Sequence, residues 1–315
     1  HEKSQYSRLG FFAFLILLVR HLFNDEVMML AVILGFTTSL TYGFADFFGA
    51  IASKKLRPIF VTAFAAYFGL ALLVTLVLSG AFTADFSQEA LFWGILGGVF
   101  SAFAMSCLYA SLAIGPISIL SPLSAVISAI VPAIAGVARG DSFSALGWVA
   151  ILLIMVAVVL VGFIPGEKIV RPSTKGLLLG VGAGMGIGAV LICLNVAPAA
   201  AGLAPVITLR ITNGFFMTIF ATALFVRGRA KLTELRQHPK TWVNIAIAGF
   251  CDAGANVLFV LASRQGNLTL IAVLTALYPL GTIILARIVL KEKIAAVQTL
   301  GILLALGASA LLSIG

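Results

Sequence analysis

Three ionisable side chains lie inside long apolar segments, namely Asp46, Arg210 and Asp252. A charge at the middle of a bilayer costs at least about 2.5 kcal/mol even on insertion-based scales. Such residues therefore pair with one another or line a path for a substrate or an ion. Asp252 is the deeper of the two acids, and Arg210 is expected at a similar depth in a neighbouring helix. We expect these two to form an ion pair, whose alternative roles are structural or functional.

Small and polar residues share a helical face with each acid. In the first apolar segment this stripe consists of Gly35, Thr38, Tyr42, Asp46, Gly49 and Ser53, within about 80° of the helical circumference. A similar stripe surrounds Asp252 and contains Gly249, Asn256 and Ser263. Further polar sets are Ser121, Ser124 and Ser128 in one segment and Thr275, Pro279 and Thr282 in another. Faces of this kind suit a polar interior better than lipid.

The elements that carry these residues are predicted to be membrane-spanning helices. The chain is 61% apolar and 10% charged, with a mean hydropathy of +1.16, far from the values of soluble domains. A helix needs about 20 apolar residues to cross the hydrocarbon core. Ten segments of this type are predicted, at 28–52, 59–80, 89–113, 116–138, 143–165, 176–197, 204–226, 241–263, 267–290 and 294–314. The predicted fold class is an all-α membrane protein.

The distribution of Lys and Arg indicates an inverted duplication. Lys54, Lys55 and Arg57 follow the first segment, whereas residues 198–203, after the sixth, hold no charge. An odd number of spans in each half turns the second copy upside down, as in many transporters. We expect two inverted five-helix repeats, at 28–165 and 174–315, with both ends of this unit outside the cytoplasm. The net charge of +9 is then topological, and no nucleic-acid partner is expected.

The residue types do not favour an enzyme or a metal site. Cys107, Cys193 and Cys251 lie inside predicted spans without metal-ligand spacing. A lipid-processing membrane enzyme would need paired acids, a metal cluster or an activated histidine, and none is visible. We therefore predict no disulfide, metal, cofactor or catalytic residue. The alternating glycines of residues 180–188 predict close helix packing or, alternatively, a sliding element.

Residues 1–27 do not fit the pattern of the other segments. Their apolar run, residues 9–19, is too short to span a bilayer unaided. Three interpretations remain open, namely a non-native or misassigned upstream sequence, an interfacial helix and an eleventh span.

The end of the chain resembles a known family. Residues 278–312, YPLGTIILARIVLKEKIAAVQTLGILLALGASALL, are similar to the closing segment of an EamA domain in the drug/metabolite transporter superfamily, through Pro279, Glu292, Gln298 and Gly301. Residues 42–55, YGFADFFGAIASKK, resemble the first span of some members. The resemblance extends over residues 28–315 as two EamA repeats.

This resemblance implies a multi-pass carrier of the plasma membrane that moves a small metabolite by alternating access. The residues predicted to serve substrate binding or coupling at a central cavity are Tyr42, Asp46, Tyr109, Asn195, Arg210, Asp252, Asn256, Thr275 and Tyr278. Because burial favours the neutral form of a carboxyl group, protonation of Asp46 or Asp252 could couple export to a proton gradient, and uncoupled exchange fits equally well. The alternative functions are a channel, a non-transporting membrane sensor and, less favoured, a lipid-processing enzyme.

Overall fold

A computed structural model describes residues 26–114, 117–162, 173–236, 238–289 and 295–312. The longer elements in these ranges are all α-helices: α1 (Glu26–Ser53), α2 (Pro58–Leu78), α3 (Gln88–Ile114), α4 (Ile117–Ala138), α5 (Ala145–Gly162), α6 (Thr174–Val196), α7 (Ala204–Val226), α8 (Pro239–Ser263), α9 (Leu268–Thr275), α10 (Pro279–Val289) and α11 (Ala296–Leu312). Short 3-10 helices lie in two connections, at Ala199–Ala201 and Leu232–Leu235. Residues 1–25 lie outside the described ranges. The three interpretations of the segment 1–27 therefore stay predictions.

The helices have the length and composition of membrane spans. Within the described ranges, seven segments are long and apolar enough to cross a membrane: Met29–Ser53, Pro58–Leu78, Gln88–Leu108, Thr174–Val196, Ala204–Val226, Pro239–Ser263 and Leu268–Val289. Three shorter apolar helices, Leu123–Ala138, Ala145–Leu160 and Ala296–Ala305, occupy the remaining predicted positions. The prediction of an all-helical membrane protein is confirmed at this level.

The ninth predicted segment forms two helices, α9 and α10, rather than one. Pro279 has no backbone N–H, so it cannot donate to the carbonyl oxygen of Thr275 four residues earlier. That oxygen accepts instead from the N–H of Tyr278 at 3.1 Å, in a tighter 3-10 pattern. The carbonyl of Leu274 likewise accepts from Leu277 at 3.1 Å. The chain therefore passes the proline without leaving these carbonyl groups unsatisfied.

Helix packing follows the same scheme in both halves of the chain. The helix α1 packs along α8, and in the corresponding contact α6 packs along α3. The helix α7 crosses α3 where α2 crosses α8, and α4 packs on α6 where α9 and α10 pack on α1. Three further contacts, α2 with α7, α4 with α9 and α5 with α11, join helices that correspond to each other. Each of these contacts is therefore preserved when the helices of the first half are exchanged with their counterparts in the second.

The glycines of α6 allow this helix to fit closely between α3 and α4. A Cβ atom on Gly184 would lie 2.6 Å from the carbonyl oxygen of Ser124 in α4, and one on Gly188 would lie 2.8 Å from Cβ of Val131. On the neighbouring face, a Cβ on Gly186 would lie 2.8 Å from that of Ala104 in α3. The close packing predicted for this stretch is therefore present.

Candidate functional site

An ion pair between α7 and α8 lies inside the bundle. The guanidinium Nη1 of Arg210 donates to Oδ2 of Asp252. The Arg210 side chain is only 4% exposed, whereas that of Asp252 is 37% exposed. Asp252 therefore neutralises a buried cation and still presents part of its carboxyl group to an open space. This pairing is the one expected from the depths of the two residues.

A chain of hydrogen bonds connects this ion pair to α1. The amide Nδ2 of Asn256 donates to the backbone carbonyl of Asp252 at 2.9 Å, within one turn of α8. The hydroxyl of Tyr42 donates to Oδ1 of Asn256 at 2.7 Å. Asn256 is 3% exposed, so its amide is satisfied from two sides in a buried position. The contact joins α1 to α8.

Asp46 lies one helical turn after Tyr42 on the same side of α1. Its side chain is solvent-accessible, yet it interacts electrostatically with Asp252 of α8 and Tyr278 at the end of the α9–α10 link. Within the described residues it has no hydrogen bond or ion pair. Asp46 is therefore an accessible carboxyl that lies close to residues of other helices.

Tyr278 lies at the break between α9 and α10, directly before Pro279. Its side chain hydrogen-bonds Ser124 of α4. Its backbone approaches α1 so closely that a Cβ atom on Gly43 would lie 2.3 Å from the Tyr278 carbonyl oxygen. The hydroxyl of Thr282 donates to the carbonyl of Gly43 at 3.1 Å. Tyr42 and Asp46 of α1 are thereby held next to the broken span.

Thr275 ends α9 on the other side of the break. It is 4% exposed, and its hydroxyl has no hydrogen-bond partner in the structure. A buried hydroxyl without a partner is uncommon and is found at strained or functional positions.

A second polar contact extends the cluster along α7. Asn213, one turn beyond Arg210, donates through Nδ2 to the hydroxyl of Ser101 in α3. The amide oxygen of Asn213 and Nε of Arg210 are buried and have no hydrogen-bond partner among the residues that the structure describes. The sequence analysis did not single out Asn213. The spacing of three residues from Arg210, which places both on one helical face, is the signal that could have found it.

Two of the predicted site residues are not part of this cluster as described. Asn195 lies in the last turn of α6, where its Oδ1 accepts from Nη1 of Arg139 at 2.6 Å. It therefore belongs to one end of the bundle, whereas Asp252 lies about 17 Å from the end of α8. The side chain of Tyr109 lies outside the part of the structure that is described.

The two ends of the bundle are tied together by different polar contacts. At one end Oδ2 of Asp141, in the α4–α5 connection, accepts from the backbone N–H of Thr269 at 2.9 Å, in the first turn of α9. At the other end Nε of Arg57 donates to Oε2 of Glu234 at 2.9 Å. Each contact joins the first half of the chain to the second.

The chemistry of the cluster is that of binding rather than metal ligation. No group of three or more His, Cys, Asp or Glu side chains is arranged to hold a metal ion among the described residues. The cluster instead combines one exposed carboxyl, one ion pair, two tyrosines and several amide and hydroxyl groups. Such a set can recognise a charged or polar small molecule by complementary charge and hydrogen bonds.

Comparison with known proteins agrees with the fold. The sequence model of the EamA-like transporter family matches two stretches of the chain, residues 29–163 and 174–314. A solved structure described only as the crystal structure of a protein superposes with a TM-score of 0.73 at 13% identity, covering 90% of this chain and 98% of the other. A search of curated proteins gives no match. The two family matches confirm the resemblance and the two repeats inferred from the sequence.

Proposed function

Because the chain belongs to the EamA-like transporter family, we propose that it is a secondary transporter, either an exporter or an exchanger, that moves a small metabolite by alternating access. It is an integral, multi-pass membrane protein, and the connections between its described helices are short, so the proposed activity is placed within or across the bilayer. The membrane proposed for it is the plasma membrane.

The observation that carries this proposal is the position of the polar cluster. Its residues come from α1 in the first family match and from α7, α8 and the α9–α10 link in the second. In many secondary transporters the substrate site lies near the middle of the membrane at the interface of two repeats, beside an interrupted helix. The proposed counterparts of such a site in this chain are Asp46, Asp252 and Tyr278, the last of which lies at the interruption of the α9–α10 span.

Alternating access is proposed to arise from inversion of the two repeats. The proposed repeats are residues 28–165 and 174–315, each contributing five of ten spans. The packing scheme supports a twofold relation between them, since exchange of the halves preserves every helix contact described above. The opposite placement of Lys and Arg in corresponding connections supports the inversion, with both ends of the unit outside the cytoplasm.

Coupling to protons is proposed to involve Asp46. It is accessible from the cavity and has no counter-ion among the described residues, whereas Asp252 is held by Arg210. A carboxyl group inside a membrane protein is a common element of proton relays.

The test is counterflow in liposomes that contain the purified protein. Liposomes are loaded with one unlabelled metabolite at a time and diluted into a trace of the same labelled compound. A carrier produces a transient, saturable accumulation of label above equilibrium. Ionic conductance in a planar bilayer without counterflow would show a channel and contradict the proposal. The Asp46→Asn variant, assayed at substrate concentrations that saturate binding, reports on coupling, because a proton-coupled carrier would lose uptake driven by a pH gradient more than it loses exchange.

A further inference from the structure

The interior of the bundle contains more acids than bases. Among the described residues, three residues of the types Asp, Glu, Lys, Arg and His lie more than one turn inside an α-helix. They are Asp46, Arg210 and Asp252. With both acids ionised, two carboxylates and one guanidinium leave one negative charge without a cation. A bare charge away from bulk water is costly, so a site with this composition favours a positively charged occupant.

The uncompensated charge belongs to Asp46. Arg210 is engaged with Asp252, and its side chain is 4% exposed, so it is not free to pair with Asp46 as well. The nearby Asp252 carboxylate interacts with Asp46 and adds to the negative potential there. The accessible carboxyl is therefore the one that lacks a partner.

Aromatic and hydroxyl groups surround this carboxyl. Tyr42 precedes it by one turn on α1, and Tyr278 faces it from the α9–α10 link, since both tyrosines interact electrostatically with Asp46. Their hydroxyl groups are fixed by Asn256 and Ser124, so the rings are held in place. Aromatic rings beside a carboxylate are the usual surroundings of an ammonium group in proteins.

An unpartnered polar atom provides a second, independent sign of a ligand. Thr275 is 4% exposed, and its hydroxyl has no hydrogen-bond partner among the described residues, so its oxygen can accept a hydrogen bond from an ammonium group. Buried polar groups are nearly always satisfied by protein or by bound molecules. Thr275 lies one turn before Tyr278, so this unpartnered hydroxyl adjoins one of the residues around Asp46.

Resting on the proposed carrier function, we propose that the transported compound is an organic monocation, such as a primary or substituted ammonium, and that Asp46 is its counter-ion. An anion would meet a net negative site. A zwitterion would bring a carboxylate that must compete with Asp252 for Arg210. An ammonium compound with an apolar body meets neither obstacle.

The test compares compounds that share a skeleton and differ in charge. Phenethylamine, phenylalanine and 3-phenylpropionate form one set, and butylamine, norvaline and pentanoate form a smaller one. Binding to the detergent-purified protein is measured by isothermal titration calorimetry. We expect at least one amine to bind tenfold or more tightly than both of its partners. Tightest binding by a zwitterion or an anion would overturn the inference.

Variants assign the binding to Asp46. Asp46→Asn is expected to weaken amine binding at least tenfold, while Asp46→Glu keeps most of it. Asp85→Asn is the matched control, because Asp85 is an exposed acid in the α2–α3 connection, and it should leave binding unchanged. Size-exclusion profiles and helicity show whether each variant is folded. Equal losses in Asp46→Asn and Asp85→Asn would contradict the proposal.

The outcomes separate this inference from the proposed function. Amine binding that depends on Asp46, without counterflow of the same amine, would contradict the proposed carrier function and support the cation site. Counterflow of anions or zwitterions only would support the proposed carrier function and contradict the cation site. Absence of binding by all six compounds together with absence of counterflow would overturn both.

Discussion

At the scale of single residues, the stability of the protein depends on both partners of the ion pair formed by Arg210 and Asp252. Removing one leaves a charge inside the bundle, and breaking a buried pair in this way typically costs about 3–5 kcal/mol. Because the Asp252 side chain is 37% exposed, we expect the loss of stability caused by Asp252→Asn to lie at or below the lower end of that range. Arg210→Met is expected to lower the stability as well. The double variant should be more stable than either single variant.

The measurement is the midpoint of thermal unfolding in detergent, followed by size-exclusion fluorescence, together with the amount of folded protein expressed. Thr218→Ala is a suitable comparison on α7, since its hydroxyl contacts only the exposed Tyr67 at 2.8 Å. Additive losses in the double variant would show that the two side chains are not energetically coupled.

The residues of the site were partly predictable from the sequence. Charge inside an apolar segment identified Asp46, Arg210 and Asp252, because few physical reasons other than pairing or function place charge there. Helical periodicity added Tyr42 and Asn256 but did not by itself indicate how deep in the membrane a residue lies. Asn195 shares a polar character with them and lies instead beside Arg139 at the end of α6. The link from Tyr278 to Ser124 joins residues far apart in sequence, which no local pattern reveals.

At the scale of helices, the glycines of α6 determine how close this helix can lie to α4. A Cβ atom at Gly184 would be 2.6 Å from both the Ser124 carbonyl oxygen and Cβ of Ile127. We expect Gly184→Ala to force α6 and α4 apart and to destabilise the protein by about 1–3 kcal/mol, the usual range for overpacking. The thermal midpoint of the detergent-purified variant measures this effect.

Gly254 in α8 provides the matched control. A Cβ atom there would have no neighbour within 4 Å, so Gly254→Ala adds no clash and gains the better helix propensity of alanine, about 1 kcal/mol in a water-exposed helix. The midpoint of this variant should stay the same or rise. Equal destabilisation by both substitutions would mean that loss of glycine flexibility, rather than helix contact, is the cause.

Helix positions were the most predictable part of the fold, and helix interruptions were the least. Hydropathy located α2 at 59–80 against the observed Pro58–Leu78, since both ends are marked by charge, proline or glycine. The same signal treated residues 267–290 as one segment, although Pro279 stood inside it. Proline within an apolar run is compatible with a kinked helix or with two helices. The choice between them depends on packing of the break against Gly43 of α1, which is a tertiary effect.

At the scale of the whole molecule, the proposed inversion of the repeats predicts that corresponding connections lie on opposite sides of the membrane. Gly80 after α2 and Gly228 after α7 occupy matched positions, with φ of 76° and 64°. The residues that follow them, Ala81 and Arg229, are both exposed. In a background with the three native cysteines replaced, we expect Ala81→Cys to react with an impermeant maleimide in intact cells. Arg229→Cys should react only after permeabilisation.

Both single-cysteine variants are compared with the cysteine-free background, which controls for unspecific labelling. Labelling of both positions from the same side would rule out inversion while leaving the helix packing scheme intact. The reverse pattern, with only Arg229→Cys reactive in intact cells, would keep the inversion and reverse the orientation predicted from Lys and Arg.

The proline break in the ninth span has a mechanical consequence for the molecule. It divides the span into two arms, α9 of about 12 Å and α10 of about 17 Å. The regular α-helical hydrogen-bond pattern is already interrupted at Tyr278, where 3-10 hydrogen bonds close the junction. A rotation of the longer arm by about 10° at this point would carry its far end about 3 Å sideways, by the same geometry. In the proposed transport cycle, a displacement of that size, comparable to the width of a water molecule, would be enough to open or close a path for water at that end of the bundle.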